Sequence, residues 1–194
     1  MMSIRRSSPH SATRQRGAAL VEFSLILVPL VLILVGTVEL GLAWRDTLTL
    51  DQASRSGARV AASLANNPAS DREALRALVS VLGPQDLDQI EYVVLYEVGS
   101  DGAMPSGCDA ASSAQCNRYP QAALADLDND MRWECSASSH DGNWCPTDRE
   151  PELTSPVDMG VRIESRRPWV TGMLPGDGIT IGSTTIMRLN PLHR

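Results

Sequence analysis

Four cysteines, three histidines, two lone glutamates in an apolar run and one acidic cluster are the residues of this chain with chemistry to offer. The cysteines, Cys108, Cys116, Cys135 and Cys145, all stand in the second half. Zinc would want a C-x2-4-C spacing, and neither neighbouring pair has it. An even number fits two disulfides with three possible connectivities, of which short loops favour Cys108–Cys116 and Cys135–Cys145. Disulfides persist only in an oxidising compartment, so the expectation is that this half lies outside the cytoplasm. Asp126-Leu127-Asp128-Asn129-Asp130 has the rhythm of a calcium loop. Met131 stands where such a loop needs glycine, and Ala137 where it needs the twelfth-position glutamate, so a solvated acidic turn is the plainer reading. His10, His140 and His193 are isolated. The sequence holds no G-x-S-x-G elbow, Walker loop or H-E-x-x-H pattern, so no enzyme, cofactor or metal is expected.

The two glutamates are more telling. From Gly17 to Trp44 the only charged residues are Glu22 and Glu39. A helix over Ala18–Trp44 would rise about 40 Å at ~1.5 Å per residue, more than the ~30 Å hydrocarbon core of a bilayer. A carboxylate deep in such a span costs about 2.5–3.5 kcal/mol on insertion scales, so Glu22 is expected to have a partner or a task. Glu39 lies about 25 Å further along, near the far interface. A solvated interfacial position is the plainer expectation for it, an intersubunit contact the sharper one. Pro29 removes a backbone donor inside the span and predicts a kink.

Charge divides the chain the same way. The leader carries Arg5, Arg6, Arg14 and Arg16 and no acid, whereas residues 45–194 hold 13 arginines against 21 acids. A nucleic-acid binder would show a basic face on its folded part, so no nucleic-acid partner is expected. The leader arginines fit the positive-inside rule, with the N-terminus cytoplasmic. A cleaved secretory signal would have a shorter apolar region closed by an A-x-A site, and none closes this one.

Arg16-Gly17-Ala18-Ala19-Leu20-Val21-Glu22-Phe23, with Pro29 and Val38-Glu39-Leu40-Gly41 after it, resembles the TadE-like family, minor pseudopilins of the tight-adherence (Flp) pilus. Gly17 followed by Glu22-Phe23 is similar to the type IV prepilin cleavage signal, and Gln52–Arg59 to the family's small-residue, arginine-bearing helix. The resemblance covers residues 16–62, with the strand ending Met187-Arg188-Leu189 as a further echo. Where the family often has tyrosine after the glutamate, Phe23 keeps the aromatic. The resemblance implies that a prepilin peptidase cuts after Gly17, a residue whose missing Cβ lets the scissile bond reach the protease. Ala18 would then carry a free amine one helical turn from Glu22, to pair with its own carboxylate or a neighbour's. The partners implied are that peptidase, other pilins or pseudopilins, an inner-membrane assembly platform and membrane lipid. Adhesion proteins of the same system carry a D-x-S-x-S motif that is lacking here.

The remaining pattern supplies the scaffold. Ala53, Gly57, Val60/Ala61 and Leu64 form one stripe of a continuing helix with Gln52, Arg55 and Arg59 facing away, and Asn66-Asn67-Pro68 ends it. Ser70-x-x-Glu73 reads as a capping box opening a helix over Asp71–Leu82, which Gly83-Pro84 stops. Ile90–Val98 reads as a strand, residues 99–156 as a loop-rich region, and Val157–Arg166 and Ile179–Asn190 as two half-buried antiparallel strands turned by Pro175–Gly178. Trp133 and Trp144 are expected to pack over the second cysteine pair.

The fold class expected is α+β: a long N-terminal helix, half membrane and half periplasmic, on a small antiparallel sheet with a disulfide-bearing loop region. Residues 1–17 would be a cytoplasmic leader, 18–44 the transmembrane helix and 45–194 an extracytoplasmic pilin-like domain. An unprocessed inner-membrane scaffold is the main alternative. A tethered periplasmic hydrolase would need catalytic residues that are not visible, and a calcium-regulated adhesin would need a complete cation loop.

Overall fold

The computed structural model describes residues 11–128, 133, 135, 140, 142–149 and 157–189, with side chains from Gly17 onward. It is α+β, a 54-residue helix α1 (Ser11–Leu64) feeding a four-stranded antiparallel sheet. Helix α1 begins before the expected Ala18 and runs unbroken through Pro29 and across the expected membrane boundary. Its end is set one residue before the Asn66-Asn67-Pro68 signal. Ala65 adopts a left-handed φ of 46° while its N–H still bonds Ala61 O, which closes the last turn.

The strands are β1 (Ile90–Glu97), β2 (Cys116–Pro120), β3 (Asp158–Pro168) and β4 (Gly178–Arg188), in the order β2-β1-β3-β4. Two-residue alternation governs the β3–β4 ribbon. On β4, Ile181 and Ser183 are buried while Thr180, Gly182, Thr184 and Ile186 are exposed. The same phase on β3 turns Met159, Val161 and Ile163 inward toward α1, and the register Val93↔Ile163 and Leu95↔Val161 continues that inner face into β1. Strand β1 is covered on its other face too. There Tyr92, Val94 and Tyr96 form a second apolar cluster with Cys108 and Cys116. Gly160, the cross-strand partner of Tyr96, leaves room for the phenol ring, since a Cβ there would collide with it.

Helix α2 (Ser70–Val79) packs along the C-terminal half of α1. The stripe expected on α1 is in place: Ala53, Gly57 and Ala61 are buried, and Gln52, Arg55 and Arg59 are exposed. Gly57 permits the approach, because a Cβ there would stand 3.2 Å from Ala74 O. Leu64 is only half-buried.

Three local expectations are corrected. The Ser70/Glu73 capping box does not form. Ala69 is the N-cap, and the Ser70 hydroxyl donates to Ala61 O across the helix pair. Gly83-Pro84 opens a short helix α3 (Pro84–Leu87) after α2 has already ended at Val79. Within the loop-rich region, the described residues form β2, a turn of helix α4 (Gln121–Leu124) and a 3-10 turn at Pro146–Asp148. The β3–β4 connection is a nine-residue loop, 169–177, longer than the expected turn at Pro175–Gly178.

Candidate functional site

The exposed part of α1 is the first candidate. Residues 17–34 are exposed throughout, including Leu20, Phe23, Leu25, Ile26, Leu30 and Ile33. An apolar surface of that length in water would be a heavy penalty, at ~25 cal/mol per Å². This is the one helix among the described residues long and apolar enough to cross a membrane. Gly17 and Ala18 lie inside the helix, and Glu22 and Phe23 project from its bare surface. Among the described residues nothing pairs with the Glu22 carboxylate. Glu22 and Glu39 share the helix but are not brought together, standing about 25 Å apart along it.

Glu39 is the first fully buried residue met along α1, and this corrects the expectation of a solvated interfacial side chain. Its Oε1 accepts from the Thr171 backbone N–H at 2.7 Å and from the Thr171 hydroxyl at 2.8 Å. From there a polar seam climbs the helix on the face turned to the β3–β4 ribbon. Asp46 pairs with Arg167, and Asp51 accepts from the Ser183 hydroxyl at 2.6 Å. Ser54 bonds the hydroxyls of Ser183 (3.0 Å) and Thr185 (2.8 Å). Around these rungs Ala43, Leu50, Ala53 and Ala58 fill the apolar contact. Glu39, Ala43, Asp46, Leu50 and Ala53 follow in steps of three or four residues, which keeps them on one side of the helix, with Asp51 and Ser54 each one position further.

A second polar cluster ties the cysteine-bearing loop to the core. Asp71, at the start of α2, binds Arg149 through both oxygens at 2.5 and 2.7 Å. It also accepts from the Tyr119 hydroxyl (2.6 Å) and from Asn117 Nδ2 (3.1 Å). Asn117 pairs in both directions with the backbone of Trp144, at 2.7 and 3.0 Å. The Arg149 guanidinium lies 3.7 Å from the Trp144 ring centroid. Sequence reasoning missed this cluster, since Asp71, Asn117, Tyr119 and Arg149 lie far apart in the chain and share no motif.

The disulfides join Cys108 to Cys116 and Cys135 to Cys145, with Cα atoms 6.1 and 5.7 Å apart. The two tryptophans flanking the second bridge also hold ring partners. Trp133 stacks on Tyr119 at 5.6 Å and meets His140 at 5.0 Å, and Trp144 takes Arg149. His140 is thus partly enclosed. In the acidic turn, Arg76 holds Leu127 O and the Asp128 carboxylate, each at 3.0 Å. Asn129, Asp130 and Met131 of that stretch, with Ala137, lie outside the described residues. Among the described residues no group of three or more His, Cys, Asp or Glu is disposed to hold a metal.

The helix with a bare apolar half, a lone carboxylate one turn past a glycine and a small-residue upper half is the feature that comparison recognises. Residues 17–59 match the family model of TadE-like proteins. The TadE-like segment therefore runs from Gly17 to Arg59, taking in Glu22, Glu39 and the Ala53/Gly57 stripe. It associates the chain with the components of the tight-adherence pilus. The sheet and the disulfide-bearing loops lie beyond the TadE-like match. No curated protein and no solved structure matches the chain.

Proposed function

We propose that the chain is a minor pseudopilin that takes part in assembling or priming a tight-adherence (Flp) type IV-like pilus, and that it has no chemistry of its own. One observation carries this reading. In the TadE-like segment, the Glu22 carboxylate stands on an exposed apolar helix with no partner among the described residues, five positions after Gly17. Hydrolysis of the Gly17–Ala18 bond by a prepilin peptidase would release residues 1–17 and leave an ammonium on Ala18. Gly17 and Ala18 are helical, so the peptidase must unwind the helix there. Glycine eases this, being about 1 kcal/mol poorer than alanine in a helix interior.

Two opposite charges then lie one turn apart in a segment that lipid surrounds. Paired within or between subunits, they offset the desolvation cost that either alone incurs. That cost disfavours a lone subunit and favours one docked on another pilin or on the assembly platform. The exposed apolar helix supports a single membrane crossing. The arginine-bearing leader supports a cytoplasmic N-terminus, and the two disulfides support a domain on the oxidising side of a bacterial inner membrane.

The test is mass spectrometry of the chain isolated from a host that has the peptidase. A mature N-terminus at Ala18 is expected. An N-terminus still at Met1 would favour the unprocessed membrane-anchored scaffold. A Glu22→Val variant is expected to insert normally and lose co-purification with other pilus subunits. Undiminished co-assembly would sink the pairing role.

A further inference from the structure

We propose that the β3–β4 loop is a second membrane contact, seated in the headgroup layer beside the point where α1 leaves the lipid. The inference rests on the reading of α1 as a membrane span. The Glu39–Thr171 bonds fix the loop's height, because they hold its third residue level with position 39 of the helix. A span needs about 20 residues, and counting that many back from Glu39 reaches Ala19, so Glu39 stands where hydrocarbon gives way to headgroups.

The loop is built for that level. Residues 168–176 carry no charge. Val170 is 67% exposed and Met173 60%. Outside α1, the large apolar side chains left exposed among the described residues are these two and Ile186. On the helix near that height Leu40 and Trp44 are equally bare. Trp44 lies about 7 Å above Glu39, at the depth where interfacial tryptophans gather. Trp169 opens the loop with its indole N–H donating to Pro175 O, which folds the segment back on itself. The first ion pairs, Asp46–Arg167 and Arg166–Asp177, stand at the two ends of this uncharged stretch. Val170 and Met173 thus add exposed apolar surface to the domain near the height where the exposed helix ends. Lipid is the occupant that fits an uncharged, exposed loop held level with the end of a span.

The seating also gives Glu39 a reason. A carboxylate at the edge of the hydrocarbon needs donors, and Thr171 supplies two from a loop that would itself lie in that layer. Two attachments would hold the domain at one tilt to the membrane, where a lone helix would let it swing.

The test uses the full chain in bilayers of phosphatidylcholine with or without brominated acyl chains, the bromine placed near the headgroup for the loop and near the chain end for the span control. Single cysteines at Val170→Cys and Met173→Cys carry an environment-sensitive fluorophore, and the native cysteines stay paired in their disulfides. Leu30→Cys serves as a control in the span and Ile186→Cys as one on the far part of the sheet. For a loop some 5–10 Å into the interface, brominated lipid is expected to lower emission at 170 and 173 by about half, with little change at 186. Emission at 170 and 173 as insensitive as at 186, with Leu30 still quenched, overturns the loop contact and leaves the span intact. Labels shielded from both bromine and aqueous iodide would mean a protein neighbour covers the loop, which also overturns it. An unquenched Leu30 would mean the span reading itself has failed.

Discussion

Arg149 grips both carboxylate oxygens of Asp71, at 2.5 and 2.7 Å, with both side chains fully shielded from solvent. The two residues are 78 positions apart, and the bond fastens the loop after Cys145 to the first turn of α2. A charge pair this deep costs desolvation that its own attraction roughly repays, so it is best understood as fixing where the loop goes. Asn117 and Tyr119 donate further bonds to the carboxylate, and the guanidinium donates to the Trp144 carbonyl.

Breaking one side should be severe. Arg149→Met is expected to destabilise the domain by about 3–5 kcal/mol, since it strands a buried carboxylate. Adding Asp71→Leu should recover part of the loss, with the Tyr119 hydroxyl and Asn117 amide then left without their acceptor. Denaturant unfolding of the detergent-solubilised chain measures both. An Arg149→Met variant as stable as the parent would remove the anchoring role.

The disulfides should differ in accessibility. Cys108 and Cys116 are fully buried beside Tyr92, Val94 and Tyr96, whereas Cys135 is exposed and Cys145 half-exposed. Thiolate attack needs access, so mild reductant is expected to open Cys135–Cys145 first. Alkylation of the freed thiols followed by peptide mass spectrometry reads the order. Replacing Cys108 and Cys116 together by alanine should cost about 2–3 kcal/mol for so short a loop.

Two glycines should respond unequally to alanine. At Gly160 a Cβ runs into the Tyr96 ring, so Gly160→Ala should cost about 1–3 kcal/mol by overpacking. At Gly57 the new methyl meets Ala74 O at 3.2 Å and Leu78 Cβ at 3.3 Å. There the helix-propensity gain of about 1 kcal/mol offsets most of the crowding. The ranking of thermal midpoints, Gly160→Ala well below Gly57→Ala, is the check.

Burial pushes the phenols of Tyr92 and Tyr96 above their ordinary value, with Glu164 adding to the effect at Tyr92 and Arg162 opposing it at both. The unfolded chain therefore loses its phenol protons first, near a pH of about 10. Stability from these groups is complete below that pH and falls as pH rises toward the folded-state values. Thermal melts across pH 9–12, a range set by the ordinary phenol value of about 10, should show the fall, and Tyr96→Phe should flatten it. A profile unchanged by Tyr96→Phe would count against this burial effect.

Local pattern alone determined a good deal of this protein. The apolar run after Gly17, the small-residue stripe through Gly57 and the alternation of β3 and β4 each depend on neighbours a few residues apart. Nearest-neighbour periodicity is enough to specify a helix face or a strand face. Glu22 and Gly17 were legible for the same reason, since five residues contain the whole relation. Strand β2 was not legible. Cys116-Asn117-Arg118-Tyr119-Pro120 has poor strand preference, and it is a strand because β1 offers it a ladder. The capping signal at Ser70 misled because α1 lay within reach of the hydroxyl and offered Ala61 O. Thr171 beneath Glu39, and Arg149 beside Asp71, were likewise decided only by the tertiary structure. A pairing between residues 132 or 78 positions apart depends on the path of the whole chain between them, and no local window contains that path.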